Sequence, residues 1–155
     1  MVGALQPIQF HSVFISYSSK DGAFAKQLHA KLEERKVRCW FAPEDLKIGD
    51  NFRTTIDENI HGYDKLLLVL SENSVGSDWV QKEVETAMER ERQQQCTILF
   101  PIRLDGAVLE AKAGWPADVR RARHIGDFSK WKSHKHYVKA FNRLMRDLKA
   151  EMKTA

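Results

Sequence analysis

Residues 66–70 constrain the fold more than any other stretch: LLLVL, framed by Lys65 and Ser71, is five apolar residues with no polar alternation. A solvent-facing helix needs a polar face, and a half-buried strand alternates. A short unbroken run suits a strand covered on both sides, as in parallel sheets wrapped by helices. Comparable runs recur at 12–17 (SVFISY), 37–42 (VRCWFA), 97–103 (TILFPIR) and, shorter, at 123–128. Amphipathic stretches lie between and after them. Phe24, Leu28 and Leu32 fall on one face of a helix over about 21–35. Further helices are expected over about 77–93 and 133–149, the last with Tyr137, Val138, Phe141, Leu144, Met145 and Leu148 in one stripe. Asp50 is placed to cap a helix over 51–61. Pro101 argues for an irregular or terminal position in its strand, and 104–122, with Gly106, Gly114 and Pro116, for a loop.

At 155 residues the chain is one domain's worth of sequence. Strand–helix alternation with right-handed crossovers predicts an α/β fold: a flavodoxin-like, doubly wound, five-stranded parallel sheet of order 2-1-3-4-5 with helices on both faces. Ligands of such sheets bind at the carboxyl ends of the strands where the order reverses. That places a site at residues 16–20, after the first strand, and at Ser71 onward, after the third.

Several function classes are excluded early. No apolar run approaches the ~20 residues of a membrane span, and residues 1–10 carry no visible secretory signal. Cys39 and Cys96 are too few for a disulfide scaffold or a cysteine zinc site, and both are expected to be buried core thiols. No phosphate-loop motif occurs, and the first strand ends in Ile15-Ser16-Tyr17 rather than a receiver-type aspartate. His134 and His136, two apart, do not share a helix face, so no metal is expected. Residues 120–155 hold 11 Lys/Arg against 3 Asp/Glu, whereas residues 1–119 hold 14 against 18. Lys132, Lys135, Lys139, Arg143, Arg146, Lys149 and Lys153 form a basic stripe opposite the apolar one. The plain reading is a solvated face. An acidic partner or a neighbouring subunit also fits, and nucleic acid is not expected without exposed aromatics to stack bases.

The helix after the third strand carries Trp79 and, one turn on, Glu83. Val80, Val84, Ala87 and Met88 mark its buried face, and Glu83 falls roughly 40–60° beyond that stripe, with Lys82 and Glu85 toward solvent. A carboxylate beside an indole at a sheet crevice suits an active-site acid. From spacing alone the plainer reading is a boundary glutamate, since helices are rich in them.

Five segments in order, SVFISYSSKD (12–21), CWFAPEDLKIGDNF (39–52), LLLVLSENSVGSDWVQKEV (66–84), FPIRL (100–104) and FSKW (128–131), resemble Toll/interleukin-1 receptor (TIR) domains, most of all the bacterial members. The resemblance covers residues 11–150, leaving 1–10 as an N-terminal extension and 151–155 as a tail. It implies NAD⁺ as substrate rather than cofactor. The nicotinamide–ribose bond would be cleaved to ADP-ribose or a cyclic isomer, with Glu83 as the catalytic residue. It also implies substrate contacts from Phe14, Ser16, Tyr17, Ser18 and Trp79, and from Lys47, Gly49, Asp50 and Phe52 of a closing loop. That loop departs from the family pattern, with Ala42-Pro43 where an acidic residue often follows the second strand's aromatic. Cytoplasmic immune or antiphage signalling and activation by self-association are implied too, within a larger parent protein or beside a signalling partner. The competing implication is a non-enzymatic TIR–TIR interaction module, including a mimic of host TIR domains.

Overall fold

The computed structural model describes residues 9–41, 63–76 and 78–150. Its elements are β1 (Val13–Ser16), a 3-10 turn (Ser19–Asp21), α1 (Gly22–Glu34), β2 (Cys39–Phe41), β3 (Lys65–Leu70), α2 (Asp78–Gln94), β4 (Leu99–Arg103), α3 (Ala107–Glu110), α4 (Gly114–Ala122), β5 (Gly126–Asp127) and α5 (His134–Leu148). The five strands are parallel in the order β2-β1-β3-β4-β5. The expected helix over 51–61 lies outside the described residues.

Side-chain alternation sorts the strands into two cores. Val13, Ile15, Leu67, Val69 and Ile102 pack against α1 and α5. Phe14, Leu66, Leu68, Leu70 and Leu99 pack against α2, α4 and Val108 of α3. β3 is buried on both sides from Leu66 to Leu70, which is why its sequence shows no alternation. The segment before β1 is tied to the end of α5: His11 N–H donates to Leu148 C=O at 2.9 Å, and Ala150 N–H to Gln9 C=O at 2.9 Å.

Three expectations change. Residues 104–122 are not a loop, since α3 and α4 occupy most of them. Pro116 lies in the first turn of α4, where a missing N–H costs nothing, and Gly114 just before it takes the left-handed φ of 77°. Pro101 stands in the middle of β4, paired with Leu68. Ile98 C=O and Leu104 N–H bond to β3, while Arg103 C=O bonds outward to Phe128 N–H. Alternation therefore turns the donor-less nitrogen of Pro101 to the sheet's outer side. Third, Cys96 is exposed, because α2 runs past its predicted end to Gln94; Cys39 is buried, and burial pushes its thiol up to about 12.

Candidate active site

The order reverses between β1 and β3, with α1 on one face and α2 on the other. Ser16, the last residue of β1, points to the α2 face by the same alternation that buries Phe14 there. Glu83, in the second turn of α2, meets it: Ser16 Oγ donates a hydrogen bond to Glu83 Oε2. Both residues are buried, Ser16 at 0% and Glu83 at 2% exposure. The helical wheel places Glu83 beyond the apolar stripe. It is buried nonetheless because this turn of α2 lies over the carboxyl end of β1, where a polar partner waits.

A second polar link spans the same crevice. Ser71 Oγ donates to Asp21 Oδ2 at 2.5 Å, and Asn73 Nδ2 to Asp21 Oδ1 at 3.0 Å. The loop after β3 braces itself, with Ser71 N–H donating to Ser74 Oγ at 2.9 Å and Asn73 N–H to Ser71 Oγ at 3.1 Å. Asp21 thus clamps the segment after β1 to the segment that leads into α2 and Glu83. Among the described residues, no group of three or more His, Cys, Asp or Glu is arranged to hold a metal. Nor is any described helix long and apolar enough to cross a membrane.

A sequence model of the TIR domain matches residues 13–145. The chain belongs to the TIR domain family. It is 27% identical over 93 residues to the "NAD(+) hydrolase TcpC" of Escherichia coli, covering 59% of this chain and 30% of the relative. It is 30% identical over 82 residues to the "2' cyclic ADP-D-ribose synthase AbTIR" of Acinetobacter baumannii, covering 52% and 30%. The chain thus matches under a third of these relatives' length. In fold it resembles the crystal structure of the TIR domain of the Toll-related receptor TRR-2 from Hydra magnipapillata. The TM-score is 0.63 at 18% identity, over 89% of this chain and 98% of that one.

Within this TIR domain the predicted site residues separate. Ser16 and Glu83 are joined directly. Ser18 lies nearby and caps the 3-10 turn by accepting a hydrogen bond from Lys20 N–H at 3.4 Å. Phe14 and Tyr17 are core residues, each 1% exposed. Phe14 lies on the Ser16 face with its ring 5.3 Å from that of Tyr63, whereas Tyr17 points to the α1–α5 face. Both rings are packed into the two cores that flank the sheet. Trp79 lies in the first turn of α2, one turn before Glu83. Lys47, Gly49, Asp50 and Phe52 lie outside the described residues. Ser71 stands where the strand order places the site, whereas Asp21 and Asn73 carry no signal of their own in the sequence beyond Asp21's position inside the 12–21 motif.

Proposed function

We propose that this TIR domain cleaves NAD⁺ between nicotinamide and ribose, with Glu83 as the catalytic carboxylate. The observation that carries the reading is the buried Glu83–Ser16 contact at the switch point of the sheet. Two relatives named for NAD⁺ hydrolysis and for cyclic ADP-ribose synthesis support it.

Ordinary glycoside hydrolysis uses two carboxyl groups, one of them to protonate the leaving oxygen. NAD⁺ does not need that proton. Its pyridinium takes the bonding electron pair and departs as neutral nicotinamide, leaving positive charge on the ribose. Glu83 opposes that charge in a water-poor crevice, where a fixed anion acts most strongly. The Ser16 hydroxyl shows that this carboxylate accepts a hydrogen bond from an alcohol, and a ribose hydroxyl is the same donor type. Water then adds to the anomeric carbon and releases one proton, giving ADP-ribose. If a nucleophile of the same molecule adds first, the product is cyclic. Self-association that orders the residues around the crevice would raise the rate.

Nicotinamide release from NAD⁺, followed by chromatography at high protein concentration, tests the reading. Glu83→Gln is expected to lower release by about 10³-fold or more while the domain stays folded. Retained turnover in this variant removes Glu83 from the chemistry. No release by the folded native chain, even when clustered, leaves the interaction-module reading.

A further inference from the structure

A cavity of about 530 Å³ opens far from Glu83, between the outer side of β4 and the flank of α5. It exists because β5 is so short. Gly126 and Asp127 pair with Ile102 and Arg103, so among the described residues no strand lies beside the edge of β4 from Leu99 to Pro101. His136, Lys139, Ala140 and Arg143 recur at helical spacing and form one wall, with the small Ala140 leaving room at its centre. Phe100, half-buried, contributes an aromatic surface opposite.

The charges around this space do not cancel. Of its two lining carboxylates, Asp127 accepts from Arg103 Nη2 at 3.0 Å and from Ser129 Oγ at 2.6 Å, and Asp147 pairs with Arg146 at 3.2 Å. Lys139 and Arg143 pair with no carboxylate among the described residues. Lys130 also lines the space, and the remaining lining cation, Arg123, is paired with Glu91. A concave surface with one sign of charge concentrates its field and gathers counter-ions of the other sign.

The open edge of β4 is closed to a peptide strand. Pro101 has no N–H to offer, and the Leu99 N–H is already donated to Glu91 Oε2 at 2.8 Å. The occupant must therefore fill the cavity rather than extend the sheet. A space of this size lies within the ~300–1,000 Å³ range of small-molecule sites. We propose that the cavity binds a phosphate-bearing small molecule of mononucleotide size, its phosphate held by Lys139 and Arg143. Arginine's planar fork and lysine's point charge both suit phosphate oxygens.

AMP is the probe, with adenosine as the uncharged control, and backbone amide NMR shifts are the readout. AMP is expected to give saturable shifts at Gly126, Lys139, Ala140 and Arg143, and adenosine none there. Lys139→Glu with Arg143→Glu should weaken the AMP effect by about tenfold or more, as loss of charge-assisted contacts does. Lys132→Glu with Lys135→Glu makes the same change in net charge outside the cavity lining, and is expected to weaken it by about threefold or less. Ala140→Leu keeps every charge and fills the space, and is expected to weaken binding as the first pair does. The spectra themselves show whether each variant is folded. No shift at these residues by about 10 mM AMP, a tenfold weaker limit than millimolar affinity, overturns the proposal. Equal losses in the two charge-reversed pairs, or full binding by Ala140→Leu, also overturn it. Shifts confined to Ser16 and Glu83 would sink this proposal alone and leave the NAD⁺ reading standing.

Discussion

α2 carries two largely buried glutamates, Glu83 near its start and Glu91 near its end, and their surroundings differ in kind. Glu91 is committed on both oxygens. Its Oε1 pairs with the Arg123 guanidinium, and its Oε2 accepts from the Ile98 and Leu99 N–H groups at 2.7 and 2.8 Å. Those bonds fasten α2 to the entry of β4 and to the end of α4. Glu83 accepts from a neutral hydroxyl at the crevice where β1 and β3 end. A guanidinium and two backbone donors cannot be exchanged for solvent or substrate without cost, because each would be left unpaired. A serine hydroxyl can be exchanged for a sugar hydroxyl almost evenly. The same residue type on one helix therefore serves as an anchor in one place and as a candidate reagent in the other.

The comparison breaks first if Glu91 is dispensable. Glu91→Ala leaves Arg123 and two backbone N–H groups without their acceptor, and should cost about 3 kcal/mol. Urea or thermal unfolding measures it, and a loss below about 1 kcal/mol would class the cluster with exposed ion pairs. Asp21→Ala cuts the clamp to Ser71 and Asn73 and should cost about 1–2 kcal/mol. It should also lower nicotinamide release per folded molecule, because the clamp positions the segment leading to Glu83. Unchanged release would make Asp21 structural only.

The smallest effect lies at the exposed edge. Burial alone would raise the Asp127 carboxyl, but the Ser129 hydroxyl and N–H, with Arg103 and Lys130 nearby, hold it below the usual carboxylate range. A folded-state pKa below the unfolded one contributes stability above the unfolded value, near 4, that disappears as pH falls through the folded value. Asp127→Asn should flatten that acid limb. The side chain is 57% exposed, so solvent screening keeps the change to about 0.5 kcal/mol or less. A measured acid limb identical in the variant would remove Asp127 from the pH dependence.

Much of this was legible in the sequence, for identifiable reasons. The unbroken 66–70 run announced a strand covered on both faces, and the alternation of elements announced the sheet order. α3 and α4 do not show in the sequence because Gly106, Gly114 and Pro116 read as breakers, although both residue types also occur where helices start. Glu83 looked peripheral on the wheel because a wheel ranks positions by apolar neighbours. It cannot show that a strand 67 residues away ends in a serine on the same face. The Asp21 clamp joins residues 50 and 52 positions apart, a pairing that no local pattern encodes. Glu91 was passed over for the same reason: Arg123, its partner, comes from beyond β4 and α4.

The most direct test of the central claim crosses the two glutamates in one experiment. Nicotinamide release per folded molecule and melting temperature are measured together for the native chain, Glu83→Gln and Glu91→Ala. Glu83→Gln is predicted to lose release by about 10³-fold with little change in melting temperature. Glu91→Ala is predicted to melt about 6–12 °C lower and to keep its release below that temperature. Release that survives in Glu83→Gln, or that falls equally in both variants, would contradict the assignment of chemistry to one end of α2 and anchoring to the other.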